Sequence, residues 1–480
     1  MRSHPLPRSA AFAIAAVVAI NSAVGCGRRG VAPPAPAAVE SRPAPRSLVG
    51  AGSCTSSGCH AAPVAGHVPW QSAYTVWATR DPHARAHAVL REPLAERIVA
   101  AVAARNPSRP QPPAHENMAC VGCHATARGP TAGEGVSCES CHGAAGAWLA
   151  AHTATGWKTR GNTLGMVDLA DPFTCASMCA DCHVGGPPTA DGAIREVTHD
   201  LVAAGHPRLA FELRSYKRGE PPHWRDRFAS PEGSDAPGPV DEWALGRLGA
   251  LSNFLGQVAT QSRAARSGKS GITCGAWPEF TAFDCHGCHR PAAVVSAPTV
   301  AVRRGGPPAG GPRLEPMQFA HIDLILPGEA VESVAKARES VERSWTRPPD
   351  PASLEAAVRA IEQAAPQVRR RHAAIPAGNL AGRIVADTNA ANWAEAAAAL
   401  AALEAVADRE VAAGRLEAEG TVRSRLATLR EMLEFPIETA DGRTERFSSP
   451  RGYDATAIGE LLRGMAEAVK GPPPAAPGAR

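Results

Sequence analysis

The clearest periodicity in the chain lies in its last third. From about Glu329 onward apolar residues recur every three to four positions: Leu354, Val358 and Ile361, then Trp393, Leu400 and Leu403, then Val422, Leu426, Leu429 and Leu433, then Ile458, Leu462, Met465 and Val469. That spacing gives each of several helices one apolar stripe and predicts a helical bundle or set of hairpins. An earlier stretch, Asp241 to Ala264, repeats the pattern with Leu248, Leu251, Leu255 and Val258. Asp81-Pro82 and Pro207 read as the starts of two further helices, the first carrying His83 and His87 on one face, the second leaving His206 at its cap. Elsewhere between residues 50 and 320 Gly and Pro, 45 and 44 in the whole chain, break the pattern, and aromatic residues are only 5%. The expected fold class is mostly α, a loop-rich core followed by an α-helical C-terminal region. The core is short of apolar bulk of its own.

What the core has instead is a cysteine pattern. The stretch CVGCHATARGPTAGEGVSCESCH holds Cys-x-x-Cys-His twice, as Cys120/Cys123/His124 and Cys138/Cys141/His142. The motif returns as Cys179/Cys182/His183 in CADCH and as Cys285/Cys288/His289 in CHGCH, and a stretched version, Cys54-TSSG-Cys59-His60, opens the region. This is the attachment pattern of c-type haem: two thiols become thioethers to the macrocycle and the next residue, His, ligates the iron. CxxC, fourteen residues, CxxC is also a zinc-ribbon spacing, but a ribbon has no reason to put His after each second Cys. The expected cofactors are about five covalent haem c groups, which would supply the missing apolar bulk.

The thirteen cysteines leave Cys26, Cys175 and Cys274 outside the motifs. Cys26 closes a signal sequence over residues 1–26, in which Arg2 and Arg8 precede an apolar run from Ala10 to Ile20 and Ala23-Val24-Gly25-Cys26 resembles a lipobox. Eleven apolar residues are too few to span a bilayer. Lipoprotein processing at Cys26 and ordinary signal cleavage nearby both fit, and both predict export to the periplasmic side, with an acylated Cys26 as the membrane anchor in the first case. Residues 27–49 are a Pro/Ala-rich tether, 50–327 the haem domain, 328–470 the helical region and 471–480 a disordered tail. Cys175 and Cys274 pair as a disulfide or stay as two buried thiols. The formal charge of +4 falls to about −8 once the signal is lost and five haems bring their propionates, so the basicity is no argument for nucleic acid.

Each low-spin iron takes a second axial ligand. Of seventeen histidines, five belong to motifs and His4 to the signal, which leaves eleven for five positions. The candidates the chain offers are His83 with His87, His152, His199 with His206, and His223, with His115 besides, while His286 inside the fifth motif reads as exposed.

The runs WATRDPHARAH, CVGCHAT, GVSCESCHG, AAGHPRLAFELRSYKRGEPPHW and FDCHGCHR resemble the multihaem c-type cytochromes related to the nitrifiers' tetrahaem electron-transfer cytochrome c and to hydroxylamine oxidoreductase, over about Cys54 to Leu326. The resemblance implies a helical, loop-rich fold with stacked and perpendicular haem pairs. It also implies His83, His152 and His206 as distal ligands, and an open iron at His124, with His115 as the residue placed to close it. The chain departs from those relatives in its five motifs, in the stretched first one, and in having no recognisable cross-linking Tyr and no CxxCK. The reading is an electron carrier exchanging electrons with other redox proteins, the C-terminal helices covering the haem core or mediating oligomerisation. The alternative is an oxidoreductase acting on a small nitrogen compound or oxyanion at an open iron. No catalytic residue is assigned.

Overall fold

Proline and glycine recur so often in the first half that long helices cannot form there, and one-turn elements replace them. The computed structural model describes residues 47–105, 107–108, 110–157, 161–189, 192–223, 237–268, 277–288, 311–343, 345–368, 375–417, 419–434, 437–440, 444–447 and 453–469. Cys26 and the signal, nearly all of the tether, Cys274, His289 and the tail lie outside them. All described residues belong to one unit that begins at Arg46.

The first half contains α1 (Ala73–Arg80), α2 (Pro93–Arg105), α3 (Met118–His124), α4 (Cys138–His142), α5 (Pro172–His183), α6 (His199–Ala203) and α7 (Leu213–Gly219), joined by three-ten turns. The long α8 (Pro239–Arg266) follows, then three single-turn helices, α9 (Cys285–Cys288), α10 (Pro316–Phe319) and α11 (Ile322–Ile325). The C-terminal third is α12 (Gly328–Arg343), α13 (Pro351–Val368), α14 (Ala377–Asp387), α15 (Trp393–Ala412), α16 (Thr421–Leu433) and α17 (Ala455–Val469). A two-stranded antiparallel hairpin, β1 (Ile437–Ala440) and β2 (Thr444–Phe447), pairs Ile437 with Phe447 between α16 and α17. The fold is mostly α and loop-rich, as the hydrophobic pattern predicts. Among the described residues no helix is long and apolar enough to cross a membrane.

Two expected helices are absent. Asp81-Pro82 opens a three-ten turn, Pro82–Arg85, and not an α-helix. Asp81 does cap it, accepting from the His83 N–H at 2.9 Å, but Val136 N–H takes the His83 carbonyl at 3.0 Å and the helical ladder stops. Pro207 starts nothing: residues 206–212 have no helical turn, and the next helix begins at Leu213, where the Glu212 carboxylate accepts from the N–H groups of Arg214 and Ser215. A proline biases the residue before it toward extended backbone, which disfavours a helix through His206.

Helix α8 is the joint of the molecule. Its leucine stripe is buried as expected, but Trp243, Asp241, Glu242 and Arg247 on its other sides are buried too. It packs on α5 on one side and on α13 and α15 on another. Contact with α5 is close enough that a Cβ at Gly249 would lie 2.7 Å from the Phe173 carbonyl and 2.8 Å from Ala176 Cβ. One hydrophobic core then runs from Val240 through the C-terminal helices to Val469. Ion pairs fasten α7 to α15 beside it: Arg214 to Asp408 and Arg218 to Glu404, both at 2.5 Å, with Arg423 and Arg430 reaching the same two carboxylates.

Candidate metal centre of paired histidines

The motifs sit on short helical turns. The second ends α3, the third is α4, the fourth ends α5, the fifth begins α9, and the first spans a three-ten turn at Ala51–Cys54 and the turn after it. Motifs distant in sequence meet in pairs. The Cys54 thiol hydrogen-bonds Cys138, which sets the first motif beside the third, and Cys123 hydrogen-bonds Cys182, which sets the second beside the fourth. Burial pushes the Cys120 thiol up to about 11 and Cys141 up to about 12, so both are protonated at neutral pH. The one group of three metal-capable side chains among the described residues is Asp81, His83 and Glu220, which contains no cysteine. Thiols gathered in twos, with no third or fourth ligand beside them among the described residues, do not make a tetrahedral zinc site.

Histidines face each other in a repeated way. His60 lies opposite His152 with ring centroids 6.2 Å apart, His124 opposite His206 at 6.5 Å, and His183 opposite His83 at 6.1 Å. A metal–imidazole bond is about 2 Å, so two imidazoles on opposite sides of one iron put their centroids about 6 Å apart. In five of these six rings the outer nitrogen is already engaged. His60 Nδ1 is 2.7 Å from the Trp70 carbonyl, His124 Nδ1 2.8 Å from Ala86, His206 Nδ1 2.8 Å from Pro207, and His152 Nδ1 meets the Leu149 carbonyl, while His83 Nδ1 is 2.9 Å from the Asp81 carboxylate. Donation from Nδ1 fixes the tautomer and leaves the Nε2 lone pair for a metal.

The electrostatics agree. Burial lowers His124, His206 and His223, and takes His142 and His183 down to about 4. These rings are neutral at pH 7, the state a ligand needs. His83 goes the other way: its bond to Asp81 raises it, as a carboxylate partner makes an imidazole a more basic ligand. His223 is close enough to His142 to be, after burial, the next cause of the His142 shift.

The remaining candidates fall elsewhere. His115 is not opposite His124; it faces His87 at 6.5 Å, and His87 uses Nε2, the nitrogen the other rings leave open, on the His115 carbonyl at 3.3 Å. His199 sits edge-on to Phe280 at 5.8 Å, and its N–H donates to Glu279 at 2.7 Å, in the segment that leads into Cys285 and Cys288. His289 is outside the described residues, as is Cys274; Cys175 is a free thiol hydrogen-bonded to Cys179.

Sequence reasoning missed the residues that hold the motifs in place. Glu139, between the cysteines of the third motif, is buried and accepts from the N–H groups of Val49, Gly50 and Ala145 at 2.7 to 3.0 Å. Asp181, between those of the fourth, takes Arg195 and Asn253, each at 2.7 Å. Gly122 in the second admits the backbone of Ile194, whose carbonyl would lie 2.1 Å from a Cβ there. Phe211 stacks on His183 at 6.2 Å and Tyr216 meets its edge at 4.7 Å. His321, 1% exposed, has a buried Nε2 with no hydrogen-bond partner among the described residues and was no candidate either. A charged residue inside CESCH and CADCH is the one signal that could have been read.

Comparison with known families gives one match. Residues 54–143 match the model described as cytochrome c554 and c-prime, a stretch that begins on Cys54 and ends just after His142. The match spans the first three motifs, the stretched one included, and supports a c-type cytochrome, with covalent haem and electron transfer as its chemistry. Neither the curated proteins nor the solved structures contain a significant match.

Proposed function

We propose that the chain is an exported electron carrier with five haem c groups, akin to the nitrifiers' tetrahaem cytochrome and hydroxylamine oxidoreductase. The observation that carries the reading is the set of three ring pairs, each made of one motif histidine and one distant histidine, with the Nε2 atoms left for iron. Haem c, when bound, supplies a one-electron iron centre. The chain's own residues attach it, ligate it from both sides and keep water away.

The attaching thiols are Cys54 and Cys59, Cys120 and Cys123, Cys138 and Cys141, Cys179 and Cys182, and Cys285 and Cys288. His60, His124, His142, His183 and His289 are the near ligands. His152, His206, His223, His83 and His199 are the far ones, in that order. The contacts Cys54–Cys138 and Cys123–Cys182 support two closely spaced cofactor couples, first with third and second with fourth. His206 opposite His124 favours the carrier over the oxidoreductase, because it fills the position the resemblance leaves open.

Export places the protein on the periplasmic side, tethered through an acylated Cys26, with other redox proteins as partners. Intact mass of the mature protein tests the reading. Five haem increments on a chain that starts at acylated Cys26 are expected; four would remove Cys54 and Cys59 from the attachment sites, and none would end the haem reading.

A further inference from the structure

From Ser47 to Thr79, between Arg46 and Arg80, the chain has no Asp, Glu, Lys or Arg. A chain that is 20% charged would ordinarily place about six or seven such residues in a run of that length. This run carries the first motif, and much of it is exposed, including Cys59 and Gly66. Trp70 is 48% exposed and Leu48 45%, two of the five exposed large apolar side chains among the described residues. The carboxylates that do approach the run are turned inward: Glu139 holds the N–H groups of Val49 and Gly50, and Glu134 that of Ala51 at 2.8 Å.

Trp70 also belongs to the metal centre. Its ring meets His60 edge-on at 5.9 Å, and its carbonyl holds His60 Nδ1 at 2.7 Å. An exposed indole edge-on to a candidate axial ligand is where a second protein could bring its own cofactor near this centre.

We propose that this uncharged segment, centred on Trp70, is the electron-exchange port, and that its partner is a small redox protein with an uncharged, apolar docking face. The inference rests on the haem reading at His60. His60 and His152 would hold a haem bound at the first motif, and that haem would supply the one-electron acceptor for the reduced partner, with no bond made or broken. A charged partner finds no counter-charge among the side chains of this run, so a charge desolvated against them has nothing there to offset the cost. Association should depend on apolar burial around one aromatic anchor, the usual form of an interface hot spot. It should be nearly indifferent to salt, because screening acts on charges.

The test uses the full holoprotein and two probes, a blue-copper protein with a neutral apolar face and a lysine-ringed single-haem cytochrome. The neutral probe should bind with a Kd that changes less than about twofold while the Debye length falls from about 30 to about 3 Å. Trp70→Ala should weaken that binding about tenfold, and the backbone carbonyl that holds His60 remains in the variant. Intact mass and the visible spectrum of the variant separate the two readings: five increments with unchanged low-spin iron keep the haem assignment whatever the Kd does. An unchanged Kd in such a variant sinks the port, as does tighter, salt-sensitive binding of the lysine-ringed probe. So does loss of affinity for neutral phosphatidylcholine vesicles in place of the protein probe. Should Trp70→Ala disturb attachment, Leu48→Lys is read the same way.

Discussion

At the scale of single residues the chain separates what is written locally from what is not. A CxxCH motif is legible because the covalent chemistry needs two thiols and an imidazole on one helical turn, and nothing distant changes that. The opposing histidine comes from tens of residues away, as His206 does for His124, and only folding brings it there. The sequence therefore offered several histidines without a pairing, and His115 as the residue beside His124, which faces His87 instead. His206→Ala is the direct check. It should turn one iron high-spin with all covalent attachments intact, since the thioethers and His124 are untouched, and an unchanged spectrum would remove His206 from the axial set. The same limit hid Glu139 and Asp181, whose charges look like solvated positions in CESCH and CADCH until the loops they hold are in view.

At the scale of elements, periodicity recovered α8, α13, α15, α16 and α17, since a stripe of large apolar residues at helical spacing has one good solution. It failed at Asp81-Pro82 and Pro207, where the helix signals are present but a loop N–H takes the His83 carbonyl in the first case and residues 206–212 form no helical turn in the second. It also understated α8, because faces made of Gly246, Gly249 and Ala250 carry no hydrophobic signal yet allow the closest packing. Gly249→Val should cost several kcal/mol, since overpacking a close helix crossing forces backbone shifts. It should lower the thermal midpoint and loosen α5, the helix that carries Cys179, Cys182 and His183.

A second element-scale test concerns Glu196, buried against Gln261 of α8 and pushed up to about 8 by burial. The folded chain keeps this proton up to about pH 8, whereas an unfolded glutamate releases it near 4.5. Between those values the folded state binds more protons, so stability falls as pH rises through the window, by a few kcal/mol in total. Far-UV circular dichroism melts at the two ends of the window should show the fall in the native protein and a flatter profile in Glu196→Gln. An equal slope in both would place the titration elsewhere.

At the scale of the whole molecule the question is whether electrons pass through or are used. The motif-bearing first half and the helical second half share α8 and the α7–α15 ion pairs, so the C-terminal helices pack directly against the elements that carry the motifs. That arrangement, with imidazoles available on both sides of each described pair, suits electron transfer: a second histidine blocks small molecules and keeps the coordination shell constant as the iron changes charge. Catalysis would need one position held open or weakly. Carbon monoxide reads this directly, because it binds ferrous iron where such a position exists. The reduced protein should give no carbon monoxide spectrum and negligible turnover of nitrite, hydroxylamine or nitric oxide, yet exchange electrons rapidly with small redox proteins. His206→Ala should gain a carbon monoxide band worth one haem. A band already present in the unmodified protein, together with sustained turnover that disappears when His124 is replaced, would make the second motif a catalytic centre and the protein an oxidoreductase.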